Sequence, residues 1–308
     1  MTRSRHENGD VAERFVIPGD LAQAAAREGR GDWLAGLPAL VARIAAEWRI
    51  EVGDPFLPGG ATAWVAPARD AAGTDFALKV GWPHPEAAHE ADGLRMWDGA
   101  GAIRLCRVSE RAEATVLLLE RCRPGTQLRA SPPGEHDLVI PGLLRRLWLK
   151  PPPGHGFRPL SDMCDYWASR YEQRSPAERS CLKDPLAKEG IRLLRELPRS
   201  GEDALLLHTD LHAGNVLAAE REPWLAIDPK PYVGDPAYDV TQHIFNGVFI
   251  EGADAGALAA RMACLLDLDL NRIQRWLFAR AVEASPYWAG MADLARTLYP
   301  LGGRFFGE

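Results

Sequence analysis

The spacing of apolar side chains changes along the chain, and this change separates a strand-rich part from a helical part. At 37–50 apolar side chains recur every three or four positions, which predicts an amphipathic helix. Short apolar runs at 62–66, 76–80 and 114–119 have the length of β-strands. A helical segment is predicted at about 85–97, between the second and third strands. The first part of the chain therefore predicts a small α+β unit with a mostly antiparallel sheet and one inserted helix.

A turn-rich connector marks the end of this unit. Residues 122–134 read CRPGTQLRASPPG and are the best candidate for a boundary between lobes, so we expect domains at 1–122 and 123–308. Beyond the connector the predicted elements are mainly helices, at 161–173, 185–197 and 269–287. Two short apolar runs, 204–207 and 224–227, interrupt the helical part, and each ends in polar or charged residues.

The composition limits the classes of function. The chain has 308 residues, 46% hydrophobic and 25% charged, which is typical of a globular protein with a sizeable core and excludes a disordered or fibrous chain. Its net charge of -6 disfavours nucleic acid as the main partner, because phosphate binding requires a basic face.

Cysteine usage and the distribution of apolar residues indicate the compartment. The 5 cysteines are odd in number and form no C-x-x-C pair, so we expect neither a disulfide framework nor a zinc ribbon. The first thirty residues contain no apolar stretch typical of a secretory signal, and no run of about 18 apolar residues occurs. We therefore expect a cytoplasmic protein that does not span a membrane.

The most informative stretch is 208–217, which reads HTDLHAGNVL directly after an apolar run. Asn215 follows Asp210 by five positions, and Asp228 comes thirteen positions after Asn215. The chain between them has the length of a hairpin, so Asp228 is expected to return beside Asn215. An amide and a carboxylate are oxygen donors that Mg²⁺ prefers. Asp210 could then accept a proton from a hydroxyl while the metal holds phosphate oxygens.

Two other interpretations of this stretch are open. A single Asp or Asn in a turn commonly caps the backbone. A metallohydrolase site on His208 and His212 would need further ligands, and downstream only His243 is available as histidine. We therefore expect His208 and His212 to hold the loop by hydrogen bonds.

The constellation resembles phosphotransferases of the protein-kinase-like fold, whose catalytic loop H-x-D-x-x-x-x-N precedes a metal-binding Asp. Stretches 207–217 (LHTDLHAGNVL), 224–231 (WLAIDPKP) and 234–239 (GDPAYD) look like the aminoglycoside 6-phosphotransferase and hydroxyurea phosphotransferase family, which includes streptomycin 6-kinases. The resemblance extends from about Trp33 to about Trp276. It implies an α+β, two-lobed fold with a small antiparallel-sheet N-lobe and a larger, mostly helical C-lobe.

The same resemblance implies a reaction and its cofactors. The chain is expected to move the γ-phosphoryl of ATP, with Mg²⁺, to a hydroxyl of a small molecule. Asp210 is then the catalytic base, and Asn215 and Asp228 are the metal ligands. Asp235 is expected to brace the catalytic loop by accepting hydrogen bonds, and Asp239 to cap the following helix.

The resemblance also implies a nucleotide site in the N-lobe. Lys79 ends an apolar strand as the lysine of V-A-I-K does in kinases, although an exposed lysine at a strand edge is the alternative. Its partner would be Glu90, with Glu86 as the other candidate on the same helix face. Phosphates would meet Gly59, Gly60 and Thr62 in the sequence PGGAT, although two glycines are commonly only a turn. Adenine would meet the backbone of the connector, including Glu120 and Cys122.

The catalytic segment favours a small acceptor over a protein. Thr209 stands where kinases regulated by loop phosphorylation carry Arg, and Gly234 follows Asp228 too closely for a long activation segment. Streptomycin carries two guanidinium groups, so a streptomycin kinase should present carboxylates in its acceptor pocket. Three carboxylates on predicted helices of the C-lobe are candidates, although solvated helix surfaces are the alternative; they are Asp162, Asp165 and Glu283.

Three functions follow in order. The first is phosphorylation of a streptomycin-type aminoglycoside at its 6-hydroxyl, or of hydroxyurea, giving antibiotic resistance. The second is a metabolic or biosynthetic small-molecule kinase with no role in resistance. The third is a nucleotide-binding protein without turnover, which the presence of all the expected catalytic residues disfavours.

Overall fold

The computed structural model describes residues 15–179, 181–201, 204–288 and 290–302, without the side chains of Glu86 and of 300–302. The chain forms two compact units. The first consists of the chain up to Ala91 together with Ile103–Arg121. The second consists of Asp92–Ala102 and the chain from Cys122 onward. The segment Asp92–Ala102, expected in the N-lobe, thus packs with the second unit.

The first unit contains two helices and a five-stranded antiparallel sheet in the order β1-β2-β3-β5-β4. Its elements are α1 (Gly19–Arg27), α2 (Gly31–Trp48), β1 (Ile50–Val52), β2 (Ala63–Asp70), β3 (Asp75–Gly81), β4 (Leu105–Glu110) and β5 (Thr115–Glu120). Helix α3 (Glu90–Trp97) begins in this unit and ends in the second.

The core of the first unit lies between α2 and one face of the sheet. Helix α2 buries a stripe at helical spacing, which includes Leu37, Val41 and Ile44. Strand β3 buries Leu78 and Val80, so the intervening Lys79 lies on the other face. Each such buried aliphatic side chain stabilises the fold by roughly 1.5–3 kcal/mol. The period of the hydrophobic pattern therefore decides which face the lysine occupies.

The second unit is mostly helical and carries two small two-stranded antiparallel sheets. Its helices are α4 (Pro133–Leu147), α5 (Leu160–Glu172), α6 (Asp184–Glu196), α7 (Pro236–Glu251), α8 (Ala255–Leu266), α9 (Leu270–Ala284) and α10 (Met291–Gly302). Its strands are β6 (Leu205–Leu207), β7 (Val216–Ala218), β8 (Trp224–Ala226) and β9 (Tyr232–Gly234).

Helix α9 is central to the core of the second unit, and it packs against α6, α7 and α10. Its side chains Ile273, Trp276 and Leu277 are fully buried. Gly190 lets α6 approach α9 closely, because a Cβ there would lie 2.4 Å from a methyl carbon of Val282. No described helix is long and apolar enough to cross a bilayer.

The α+β class, with a small antiparallel sheet and a larger helical region, is confirmed. The apolar runs at 62–66, 76–80 and 114–119 form β2, β3 and β5, and the stretch at 37–50 lies within α2 except for its last two residues. Strands β1, β4 and β9 were not predicted, because they are short or carry mixed polar and apolar residues and are paired only through the tertiary structure.

Candidate active site

The loop after β6 is built around His208, which is fully buried. Its Nδ1 accepts the backbone N–H of Asp210 at 3.3 Å, and its Nε2 donates to the carbonyl of Ile227 at 3.1 Å. Burial lowers the pKa of His208 to about 3, so the ring is neutral at physiological pH. The ring of Trp97 stacks on it, with 6.1 Å between centroids. His208 thus supports the backbone of the loop.

Asp239, on α7, holds the same loop from below. Its carboxylate accepts the backbone N–H groups of His208 at 3.0 Å and Thr209 at 2.6 Å, and the indole N–H of Trp148 at 3.0 Å. Burial raises the pKa of Asp239 to about 6, against the lowering effect of these three donors. Thr209 has a φ of 58°, a left-handed conformation that β-branched residues rarely adopt. Asp239 therefore helps to stabilise a strained turn immediately before Asp210.

The expected roles of Asp235 and Asp239 are exchanged, and the sequence-based assignment is wrong on this point. Asp235 accepts the backbone N–H of Ala237 at 3.0 Å and caps α7. It also accepts hydrogen bonds from Arg272, at 2.6 Å, and from the indole of Trp276. A helix N-cap requires an acceptor one position before the helix, which Asp235 satisfies, whereas Asp239 lies one turn inside α7 and faces the loop.

Asp210 lies at the open side of this loop, and 19% of its side chain is exposed. Burial raises the pKa of its carboxyl, and the positive charges of Lys230 and His212 oppose that effect. The ammonium of Lys230 lies 3.3 Å from Oδ2 of Asp210. A carboxylate held in this way can accept a proton from a hydroxyl placed against it.

The hairpin of β7 and β8 returns the chain to Asn215, as its length predicts. Val216 pairs with Ala226, and the N–H of Ile227 donates to the carbonyl of Asn215 at 2.9 Å. The side chain of Asn215 donates from Nδ2 to the carbonyl of Asp210 at 3.0 Å, which leaves its Oδ1 as a potential ligand. Asp228 follows with a φ of 56°.

The donor set of Asn215 and Asp228 fits Mg²⁺. One amide oxygen and one carboxylate are hard ligands, and Mg²⁺ commonly completes its octahedron with phosphate oxygens and water. Within the described part of the chain, no group of three or more His, Cys, Asp or Glu side chains could hold a metal ion. A metallohydrolase site on His208 and His212 is therefore not formed there.

The second half of the loop is fixed by the chain that follows the connector. His212 accepts the N–H of Gly214 at 3.0 Å through Nδ1, and burial lowers its pKa. The side chain of Gln127 donates to the carbonyl of Gly214 at 2.9 Å. A Cβ at position 214 would lie 1.7 Å from Nη2 of Arg129, so only glycine fits there. The guanidinium of Arg129 lies directly on the loop.

In the first unit, Lys79 forms an ion pair with Glu90. Its Nζ lies 2.7 Å from each carboxylate oxygen, and the side chains are only 14% and 5% exposed. The side chain of Glu86 lies outside the described residues. Lys79 is thus held on the sheet face opposite the core, as the lysine of a kinase strand is.

The other nucleotide candidates occupy separate places. Gly59 and Gly60 are exposed in the loop between β1 and β2, and Thr62 precedes β2. Gly59 has a φ of 86°, and a Cβ there would lie 2.6 Å from Pro18, so this glycine has a structural reason. Glu120 ends β5 in the first unit, and its carboxylate accepts the N–H of Arg104 at 2.9 Å. Cys122 is buried and begins the second unit after the connector crossing.

The three candidate substrate carboxylates lie on helices of the second unit. Asp162 is exposed on α5, and Asp165 pairs with Arg199 at 2.5 Å. Glu283 is half-buried on α9, where burial raises its pKa to about 7 against the effect of Arg280, Arg170 and Arg174. Among the described contacts, none of the three forms a hydrogen bond or ion pair with the catalytic loop.

Sequence reasoning missed two kinds of residue. Lys230 lies inside the quoted stretch WLAIDPKP, but only the fold shows that its ammonium reaches Asp210. Gln127 and Arg129 lie in a connector without a motif, and no signal in the sequence links them to a loop more than eighty positions away.

Comparisons with known proteins agree with this geometry. A model of the family described as aminoglycoside/hydroxyurea antibiotic resistance kinase matches residues 49–291. The chain is 37% identical over 287 residues to a streptomycin 6-kinase of Streptomyces griseus, covering 88% of this chain and 90% of the relative. It is 34% identical over 275 residues to a hydroxyurea phosphotransferase of Kitasatospora aureofaciens, covering 87% of this chain and 78% of the relative.

A solved structure is similar at the level of the fold. The macrolide 2'-phosphotransferase of Brachybacterium faecium matches with a TM-score of 0.53 and 15% identity, covering 86% of this chain and 96% of the other. At this identity the likeness shows the fold alone, which is that of a protein-kinase-like phosphotransferase.

Proposed function

The chain belongs to the aminoglycoside/hydroxyurea antibiotic resistance kinase family, and we propose that it transfers the γ-phosphoryl group of ATP to a hydroxyl of a streptomycin-type aminoglycoside or of hydroxyurea. The names of its relatives support both acceptors. The observation that carries the proposal is the arrangement of Asp210 beside Asn215 on a loop that Asp239 and His208 hold.

In the proposed reaction, Asp210 accepts the proton of the acceptor hydroxyl. The hydroxyl oxygen forms a bond to the γ-phosphorus, the bond from that phosphorus to the β,γ-bridging oxygen breaks, and ADP leaves with that oxygen. Asn215 and Asp228 would hold Mg²⁺, which when bound neutralises charge on the phosphate oxygens. The raised pKa of Asp210, set by burial, makes its carboxylate a better proton acceptor than one in water.

The first unit would bind the nucleotide. Lys79 would contact the α- and β-phosphates, and Glu90 keeps its ammonium in place through two short contacts. Backbone N–H groups near Gly59 and Gly60 and the hydroxyl of Thr62 would meet phosphates. The connector around Glu120 and Cys122 would hold adenine through its backbone, because the carboxylate of Glu120 is already engaged by Arg104.

The acceptor site of a streptomycin kinase requires carboxylates for two guanidinium groups. Asp165 is less available, because Arg199 already binds it. Glu283 is surrounded by the charges of three arginines, which disfavours a dication there. Asp162 makes no side-chain hydrogen bond or ion pair with the described residues, and it is therefore the first candidate to test. Hydroxyurea is uncharged and needs none of these carboxylates.

The decisive experiment measures ADP release by purified protein with Mg-ATP across streptomycin, other aminoglycosides, hydroxyurea and simple polyols. We expect saturable turnover with streptomycin or hydroxyurea, and phosphorus NMR of the product identifies the modified hydroxyl. The Asp210→Asn variant should lose at least about 100-fold in kcat while it still binds Mg-ATP. Asp254→Asn is the matched control, because that residue caps α8 on the surface.

The outcomes separate the candidate functions. Equal rates for wild type and Asp210→Asn would refute the mechanism. Turnover of polyols alone would favour a metabolic kinase, and binding of Mg-ATP without turnover of any acceptor would favour a nucleotide-binding protein. If streptomycin is turned over, Asp162→Asn should raise the KM for streptomycin and leave the KM for Mg-ATP unchanged.

A further inference from the structure

Lys230 is attached to the catalytic loop by its own backbone. Its N–H donates to the carbonyl of His208 at 3.0 Å, and its carbonyl accepts the hydroxyl of Thr209. These two contacts do not involve the lysine side chain, so they remain whatever side chain stands at position 230. The place of this residue beside Asp210 is therefore set by the main chain.

The ammonium of Lys230 lies at the accessible side of the proposed base. Its distance to Oδ2 of Asp210 is 3.3 Å, and 34% of the lysine side chain is exposed. By contrast, only 14% of the Lys79 side chain is exposed in its pair with Glu90. A lysine that is partly open to solvent and touches a base can also touch the molecule that the base binds.

We propose that Lys230 is a catalytic residue whose ammonium contacts the transferred phosphoryl group, an inference that rests on the proposed function. The acceptor hydroxyl must lie within hydrogen-bond distance of the Asp210 carboxylate, and the phosphorus is one bond beyond the hydroxyl oxygen. The ammonium of Lys230 is one contact from the same carboxylate, so it reaches the oxygens of that phosphoryl group.

The charge at this place suits the transition state. During transfer, negative charge is spread over the three equatorial oxygens of the phosphoryl group, and a preorganised cation stabilises it. The charged groups that face Asp210 are Lys230, His212 and Asp228. Burial lowers the pKa of His212, which leaves Lys230 as the fixed positive charge of this set.

A purely compensating role for Lys230 makes the opposite prediction. If its ammonium only offsets the carboxylates of Asp210 and Asp228, its removal should make the site more negative and strengthen the binding of Mg²⁺ and Mg-ADP. If it contacts the phosphoryl group, its removal should weaken a transition-state analogue and leave Mg-ADP nearly unchanged.

The test is the affinity of the full chain for Mg-ADP with and without aluminium fluoride, measured by calorimetry. We expect Lys230→Met and Lys230→Gln to weaken the aluminium fluoride complex at least about 30-fold and to change Mg-ADP affinity by less than about threefold. Lys230→Arg should recover most of the analogue affinity. Lys188→Met is the matched control, because Lys188 is an exposed lysine on α6 of the same unit.

The outcomes are distinguishable from failure of the proposed function. Wild-type protein that binds no Mg-ADP overturns the nucleotide-dependent function and this inference with it. Wild-type protein that binds the analogue but turns over neither streptomycin nor hydroxyurea overturns only the acceptor, and the analogue ratio still decides the role of Lys230. The inference is overturned if Lys230→Gln, folded by circular dichroism, binds the analogue as wild type does or loses Mg-ADP to the same extent.

Discussion

The carboxylate of Asp239 accepts the backbone N–H of Thr209 at 2.6 Å, one position before the proposed base. This contact joins helix α7 to a residue in a left-handed conformation. Because a threonine loses free energy in that conformation, the carboxylate must be present for the loop to keep its shape. The position of Asp210 therefore depends on a side chain that is not itself expected to touch substrate.

The first prediction concerns Asp239→Asn. The amide places an N–H₂ group against a backbone N–H, so one donor is left without an acceptor. We expect a loss of about 1–3 kcal/mol in the free energy of unfolding and a decrease of kcat of at least about tenfold. Chemical denaturation and steady-state turnover check the two effects. Asp254→Asn, on the exposed N-terminus of α8, should leave kcat unchanged, and a wild-type kcat in Asp239→Asn would contradict the prediction.

The second prediction concerns the Lys79–Glu90 pair. Glu90→Gln leaves a nearly buried ammonium without its carboxylate, and we expect a loss of about 3–5 kcal/mol in stability together with a higher KM for Mg-ATP. The double variant Lys79→Met/Glu90→Gln should be more stable than Glu90→Gln alone, because no charge then remains uncompensated. Denaturation of the four proteins in this cycle measures the coupling.

A surface pair of the same unit serves as the control for that cycle. Arg43 and Glu113 lie 2.8 Å apart with about half of each side chain exposed, at 50% and 51%. Glu113→Gln should change stability by no more than about 1 kcal/mol. Additive effects in the Lys79–Glu90 cycle would show that the buried pair behaves like this exposed one.

The third prediction is a dependence of stability on pH through Glu283. Its pKa is raised from 4.5 in the unfolded chain to about 7 in the folded protein, so the folded state binds more protons between these values. The free energy of unfolding should therefore fall as pH rises from about 4.5 to 7. Glu283→Gln removes this loss, and it should be more stable than wild type at pH 8 by about 1–3 kcal/mol and similar at pH 4. Urea denaturation at the two pH values tests this sign, and a greater advantage at low pH would reverse it.

The fourth prediction is the Mg²⁺ requirement of Asp228→Asn. Replacing a carboxylate ligand by an amide removes one negative charge from the proposed metal site. We expect the Mg²⁺ concentration at half-maximal turnover to rise at least about tenfold. Asp269→Asn, on the exposed cap of α9, is the matched control. An unchanged Mg²⁺ dependence in Asp228→Asn would remove this residue from the metal site.

Much of the fold follows from local patterns. The alternation in β3 and the helical stripe of α2 each specify a buried face, so they identify strand, helix and the outward side of Lys79 without further information. The spacing of Asn215 and Asp228 likewise predicts the hairpin of β7 and β8, because a chain of that length that reverses direction must return to its start.

The exchange of roles between Asp235 and Asp239 shows what local patterns leave open. Both stand in the stretch GDPAYD, and either could accept hydrogen bonds from the loop. Only the packing of α7 against β6 and α9 turns Asp239 toward His208 and Asp235 toward Arg272 and Trp276.

By itself, the sequence determined the α+β class, the catalytic motif around Asp210 and the family, because these depend on residue types at short fixed spacings. The tertiary structure decided which groups meet across long separations, such as Lys79 with Glu90 rather than another acid, and Gln127 with Gly214. It also decided the left-handed turn at Thr209, since a conformation unfavourable for the isolated residue persists only where distant side chains bind its backbone.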